Sequence, residues 1–272
     1  MTTRELRDTD GRKALRAGDR EALRAGGEAM QRGLFGEPDG NLGIPGPLAP
    51  GFAEMMTEVV FGGIWTRPGL ALADRMICTL AALASVQSLR TLRQHIAAAL
   101  RIGLAPRAIQ EICIQCGIYA GMPASAEALN VAAQVFAEQG VAVPQDMPPP
   151  ASLETLTQQG NDVMRALHGE RGQQGYAAPD NPVTSALYPL AIQWGYGAIW
   201  GRPGLERRER ALVAVAAFTA LKLDGQVKKF GQSALNVGLS KTEVIEAIVQ
   251  TGPYSGFAPA LNALGGLSEA LR

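Results

Sequence analysis

Apolar positions recur at helical spacing along this chain, and the pattern appears twice. Residues 70–86 (LALADRMICTLAALASV) are apolar almost all round, interrupted only by Asp74 and Arg75, which predicts a buried helix. Leu92, Ile96, Ala99 and Leu100 form a stripe along a second helix over 92–102. Gly103 is its expected left-handed end. Ala105-Pro106 opens a third helix with proline in the first turn, running to about Tyr119. Gly121-Met122-Pro123 breaks it before an alanine-rich helix over 124–139. The signals then repeat: a buried helix over 205–221, a C-cap at Gly238, a capping box from Ser240 to Glu243, and a break at Gly256. A helix over 21–37 ends at Phe35-Gly36-Glu37, answered by Leu167-His168-Gly169-Glu170. No segment alternates apolar and polar residues between turns, so the expected fold class is all-α.

The repetition extends to the letters. Residues 61–70 read FGGIWTRPGL and residues 196–205 read YGAIWGRPGL, 135 positions apart. Trp65 answers Trp200, Arg67 answers Arg202, Arg75 answers Arg210, Glu111 answers Glu246, and Tyr119 answers Tyr254. Solenoid units run about 20–50 residues, so a period this long means a duplicated domain. The expected organisation is a charged extension (1–19), a first domain (20–140), a proline-rich connector (141–153) and a second domain (154–272). The triple proline within VAVPQDMPPP stiffens the connector toward an extended form.

Differences between the copies point to the chemistry. Ser88, Thr91, Gln94 and His95 become Leu223, Gln226, Lys229 and Phe230. A hydroxyl and imidazole cluster at helical spacing thus stands in the first copy only. The expected site therefore lies in the first domain, with the second degenerate. His95 is the candidate general acid or base, because imidazole changes charge near neutral pH. Arg67 and Arg75 are candidates to grip a carboxylate with a bidentate fork. Trp65 and Tyr119 are candidate walls. Because both arginines recur in the second copy, pairing with Glu111 and Glu246 is the alternative role for them. His168, at a turn, reads as a surface residue. Cys113 and Cys116 form a Cys-x-x-Cys inside an apolar helix, where thiols pack as small hydrophobes. No residue cluster reads as a metal site.

Composition narrows the function classes. The 25 basic and 25 acidic residues cancel, which excludes the basic surface expected of a nucleic-acid partner. No apolar run approaches the roughly 18 residues of a membrane span, and the start of the chain has no apolar signal core, so a cytoplasmic protein is expected. Three cysteines make no disulfide framework.

Several stretches together resemble the γ-carboxymuconolactone decarboxylase family of the AhpD-like all-helical superfamily. They are GEAMQRGLFGE (27–37), GGIWTRPGL (62–70), the Arg75 helix, His95 eight residues before Gly103, and YAGMP (119–123). The resemblance spans about 27–138, and the second half resembles the same family more distantly. It implies two tandem AhpD-like helical domains related by a pseudo-twofold. It also implies a lyase that decarboxylates a small carboxylated lactone through an enolate without metal or organic cofactor. His95 would be the proton donor, assisted by Ser88 and Thr91, and Arg67, Arg75, Trp65 and Tyr119 would hold the substrate. Members assemble as hexamers, so a fused pair implies a homo-trimer imitating one. This chain has Thr91 where family decarboxylases tend to carry glutamate, and Ala120 where they often carry cysteine. A related isomerase or cyclase, a thiol peroxidase using Cys113 and Cys116, and a non-catalytic ligand-binding assembly protein are the alternatives.

Overall fold

Helix ends fall where the capping chemistry puts them. The computed structural model describes residues 20–36, 48–145, 150–173 and 181–270, and every regular element among them is helical. The charged extension and connector residues 146–149 lie outside the described residues. Gly103 and Gly238 adopt φ of 89° and 98°, as left-handed helix ends require, while Gly256 breaks the chain between two helices at φ 108° and ψ 144°. Ser240 accepts from the amide of Glu243 while Glu243 accepts from that of Ser240, closing the capping box.

The compact units do not follow the repeat boundary. One ends at Gly69 and the other runs from Leu70 to Arg272. Helices from both sides of residues 141–153 pack into the core of the second unit.

In the first unit, α1 (Arg20–Phe35) packs along π1 (Thr57–Trp65), a wide-turn helix that periodicity did not reveal. The two backbones touch at glycines. A Cβ on Gly62 would lie 2.0 Å from the Leu23 carbonyl oxygen, and one on Gly27 2.1 Å from that of Thr57. Phe35 and Phe61 meet edge to face at 5.7 Å across this pair.

The second unit begins with α2 (Leu72–Ser85), α3 (Leu89–Arg101), α4 (Pro106–Ala120) and α5 (Met122–Glu138). It continues with α6 (Leu153–His168), π2 (Ala191–Ile199), α7 (Arg207–Ala220), α8 (Asp224–Asn236), α9 (Lys241–Ser255) and α10 (Phe257–Ala270). At its centre α2 packs on α7, its counterpart, and each also contacts the other repeat's fourth-position helix, α9 or α4. The all-apolar runs explain this placement: nearly every residue of α2 and α7 is buried, because each helix has neighbours all round.

Candidate functional site

Reciprocal ion pairs hold the repeats together. Arg75 on α2 donates to Glu246 at 2.9 Å and to Gln250 at 3.0 Å on α9. Arg210 on α7 donates to Glu111 at 3.0 Å and to Gln115 at 3.1 Å on α4. Every partner of one set answers the partner of the other, which is a pseudo-twofold written in side chains. Arg75 is 1% exposed and Arg210 fully enclosed. The substrate grip expected of Arg75 is thus placed in the interior, with its guanidinium engaged by a carboxylate of the other repeat. Arg202 likewise spends its Nε on both oxygens of Glu111, at 2.9 Å.

His95 sits on the buried face of α3 with no exposed surface. Its Nδ1 lies 2.9 Å from the Thr91 carbonyl oxygen, which only accepts, so Nδ1 carries the proton. Nε2 is left with its lone pair and faces the hydroxyl of Tyr254 at 3.2 Å. The rings meet edge to face at 5.3 Å. Burial pushes the imidazole pKa down to about 4, against the smaller opposing effect of the Thr91 carbonyl. At neutral pH His95 is therefore an uncharged acceptor. Tyr254 comes from α9 of the other repeat and is half-buried.

The remaining expected residues divide. Thr91 reaches His95 through its backbone carbonyl rather than its side chain. Ser88 is the half-exposed N-cap of α3 and, among the described residues, makes no hydrogen bond to His95. Tyr119 makes no hydrogen bond to that histidine among the described residues. Its hydroxyl accepts from Gln115 at 3.0 Å and from the indole of Trp200 at 3.2 Å, and its ring packs 4.5 Å from Phe218. The tyrosines are therefore exchanged between repeats: the residue opposite His95 is Tyr254, the counterpart of the one expected. Trp65, buried, and Arg67, half-buried, belong to the first unit. Cys113 and Cys116 are enclosed within α4, and burial raises both thiol pKa values, that of Cys116 to about 12. Thiols so protonated do not suit peroxidase chemistry.

One residue read as surface is not. His168, the last residue of α6, is half-buried and bonded through both nitrogens. Ser233 on α8 donates its only proton to the Lys229 carbonyl at 2.9 Å, so at 2.7 Å it accepts from His168 Nδ1. Nε2 again holds the lone pair and faces a tyrosine hydroxyl, that of Tyr196, at 3.2 Å. Desolvation, with smaller contributions from Arg171 and Lys229, pushes this imidazole down to about 4. Phe230, which took the place of His95, packs 5.0 Å from His168. The available signal was positional: His168-Gly169 answers Phe35-Gly36, the end of a packed helix.

Comparison with known proteins agrees with this architecture. The 4-carboxymuconolactone decarboxylase of Acinetobacter baylyi is 33% identical over 91 residues, covering 34% of this chain and 68% of that protein. Nitrosuccinic acid decarboxylase of Metarhizium robertsii is 25% identical over 109 residues, 40% of this chain and 76% of its own. An uncharacterized 15.0 kDa protein of Paracoccus denitrificans is 35% identical over 98 residues, 34% of this chain and 70% of its own. The carboxymuconolactone decarboxylase family profile matches residues 50–134 and again 186–269, once per repeat and over more than half the chain. On both repeats, this chain belongs to the carboxymuconolactone decarboxylase family.

Proposed function

We propose that this protein is a decarboxylase-like carbon–carbon lyase acting on a small carboxylated lactone or related carboxylic acid, with proton transfer centred on His95. The observation that supports it is the His95–Tyr254 pair, in which an enclosed imidazole of fixed tautomer meets a phenol from the other repeat. Two relatives named as decarboxylases of small acids support the reaction class.

Decarboxylation needs one proton at carbon. Resting His95 lacks a proton on Nε2, so it must gain one before it acts as donor. An arriving carboxylate supplies the reason, since a negative charge within about 4–6 Å favours the imidazolium. His95, itself enclosed, then takes a proton passed from solvent through the half-buried Tyr254 as substrate binds. The carbon–carbon bond breaks, carbon dioxide leaves, and the bonding pair passes into an enolate. The imidazolium returns the proton to carbon and ends neutral. Tyr254, half-buried and 3.2 Å from Nε2, would pass the proton or hold the enolate oxygen. The fused repeats also fit a trimer in place of a hexamer.

The test is carbon dioxide release from carboxymuconolactone and a panel of small carboxylated lactones and nitro acids. His95→Phe, which imitates the second repeat, is expected to lower turnover by about a hundredfold or more, the usual loss of a general acid. Equal turnover by His95→Phe and the parent would overturn the reading.

A further inference from the structure

The second repeat has not lost its histidine; it has moved it. At one position the first repeat has His95 and the second Phe230. At another, the helix end beside the glycine-rich segment, the first has Phe35 and the second His168. Phe35 meets Phe61 edge to face at 5.7 Å and 88°, and His168 meets Tyr196, the counterpart of Phe61, at 5.9 Å and 87°. Where the first repeat packs an apolar pair, the second has two polar groups in the same geometry. Burying such groups gains nothing in stability over the rings they replace, and each needs a partner.

The partners present repeat those of His95. The tautomer is fixed by Ser233, as that of His95 is fixed by Thr91, and Nε2 is turned to a phenol in both. Unlike His95, this pair reaches the surface: His168 and Tyr196 are half-buried, and Arg171 is exposed. The Arg171 guanidinium bonds Gln232 and, at 3.4 Å, Ser233, which puts a cation one hydroxyl from the imidazole.

We infer that the second repeat carries its own proton-transfer centre for a small carboxylate, formed by His168, Tyr196 and Ser233, with Arg171 receiving the anion. The reaction assigned to it rests on the decarboxylase reading above; the site does not. The step balances in the same way: the carboxylate leaves as carbon dioxide, and the enolate carbon takes a proton that His168 Nε2 gained from solvent when the anion bound.

The chain has two histidines, so ring-nitrogen NMR resolves both centres. Full-length protein labelled in its imidazoles is titrated with succinate at pH 6.5, the signals being assigned with His95→Phe and His168→Phe. The expected result is that the His168 signal moves toward imidazolium, and that Arg171→Gln weakens this response about tenfold or more, as loss of a charge-assisted contact does. A His168 signal that succinate leaves unmoved overturns the inference, as does a response undiminished in Arg171→Gln. Response of His168 without His95 would keep this site while removing the one proposed above, and the reverse would do the opposite. In turnover, His95→Phe is expected to retain a residual rate that His95→Phe/His168→Phe lacks; equal rates in the two overturn catalysis at the second centre.

Discussion

His95 and His168 are two answers to one problem. Both imidazoles donate through Nδ1 to an oxygen of the fold and turn Nε2 to a tyrosine hydroxyl at 3.2 Å. They differ in where the partners come from. His95 uses a backbone carbonyl of its own helix and a tyrosine of the other repeat. His168 uses a side-chain hydroxyl and a tyrosine of its own repeat. The first centre therefore depends on how the repeats are joined, while the second is built within one of them. The duplicated frame thus shows the same histidine–tyrosine pairing with the histidine at two different helix positions.

The largest way to break the comparison is at the join. Glu111 is fully enclosed and holds Arg210 and Arg202, so Glu111→Ala leaves two guanidinium groups without their carboxylate. A loss of about 3–5 kcal/mol is expected in denaturant unfolding, as for a buried pair stripped of one member. Its counterpart, Glu246→Ala, strips Arg75 in the same way, on α9, the helix that carries Tyr254.

Next comes pH. Both imidazoles are held near 4, below the ordinary value of about 6.5. The unfolded chain therefore takes up protons first as pH falls. Stability is full above about pH 6.5 and is lost progressively between about 6.5 and 4. The loss is about 3 kcal/mol for enclosed His95, and less for His168, which water reaches. Melting temperature measured across this window should fall in the parent and fall less in His95→Phe.

Smaller effects sharpen the contrast. Ser233→Ala removes the oxygen that fixes the His168 tautomer, and should shift its ring-nitrogen signals while costing about 1 kcal/mol. Thr91→Ala keeps the carbonyl that does the same for His95, so its effect on the His95 tautomer should be nil and on stability within about 0.5 kcal/mol.

Much of the fold was legible because caps are local. Gly103, Gly238 and Ser240 with Glu243 act within a few residues, and each stands where the sequence pattern predicts. The Arg–Glu pairing was legible as a class, since both members recur. Its crossing was not, because two repeats that share the same arginines and glutamates pair equally well in sequence within or between copies. The same ambiguity put Tyr119 beside His95, where the fold puts Tyr254. Of the expected cluster, His95 meets the Tyr254 hydroxyl, Thr91 contributes only its carbonyl, and Ser88 occupies a helix N-cap position without a side-chain cap bond. His168 was hidden by its turn. A polar residue beside glycine reads as solvent-facing, and only the packing of α6 on α8 and π2 reveals that the turn is covered.

The central claim is that the polar centre was transposed and not lost. A pH titration of the two imidazoles by ring-nitrogen NMR tests it most directly. Two signals are expected, both with Nδ1 protonated at pH 7 and both charging only near pH 4. A His168 signal that titrates near 6.5, as a solvated surface histidine does, would contradict it.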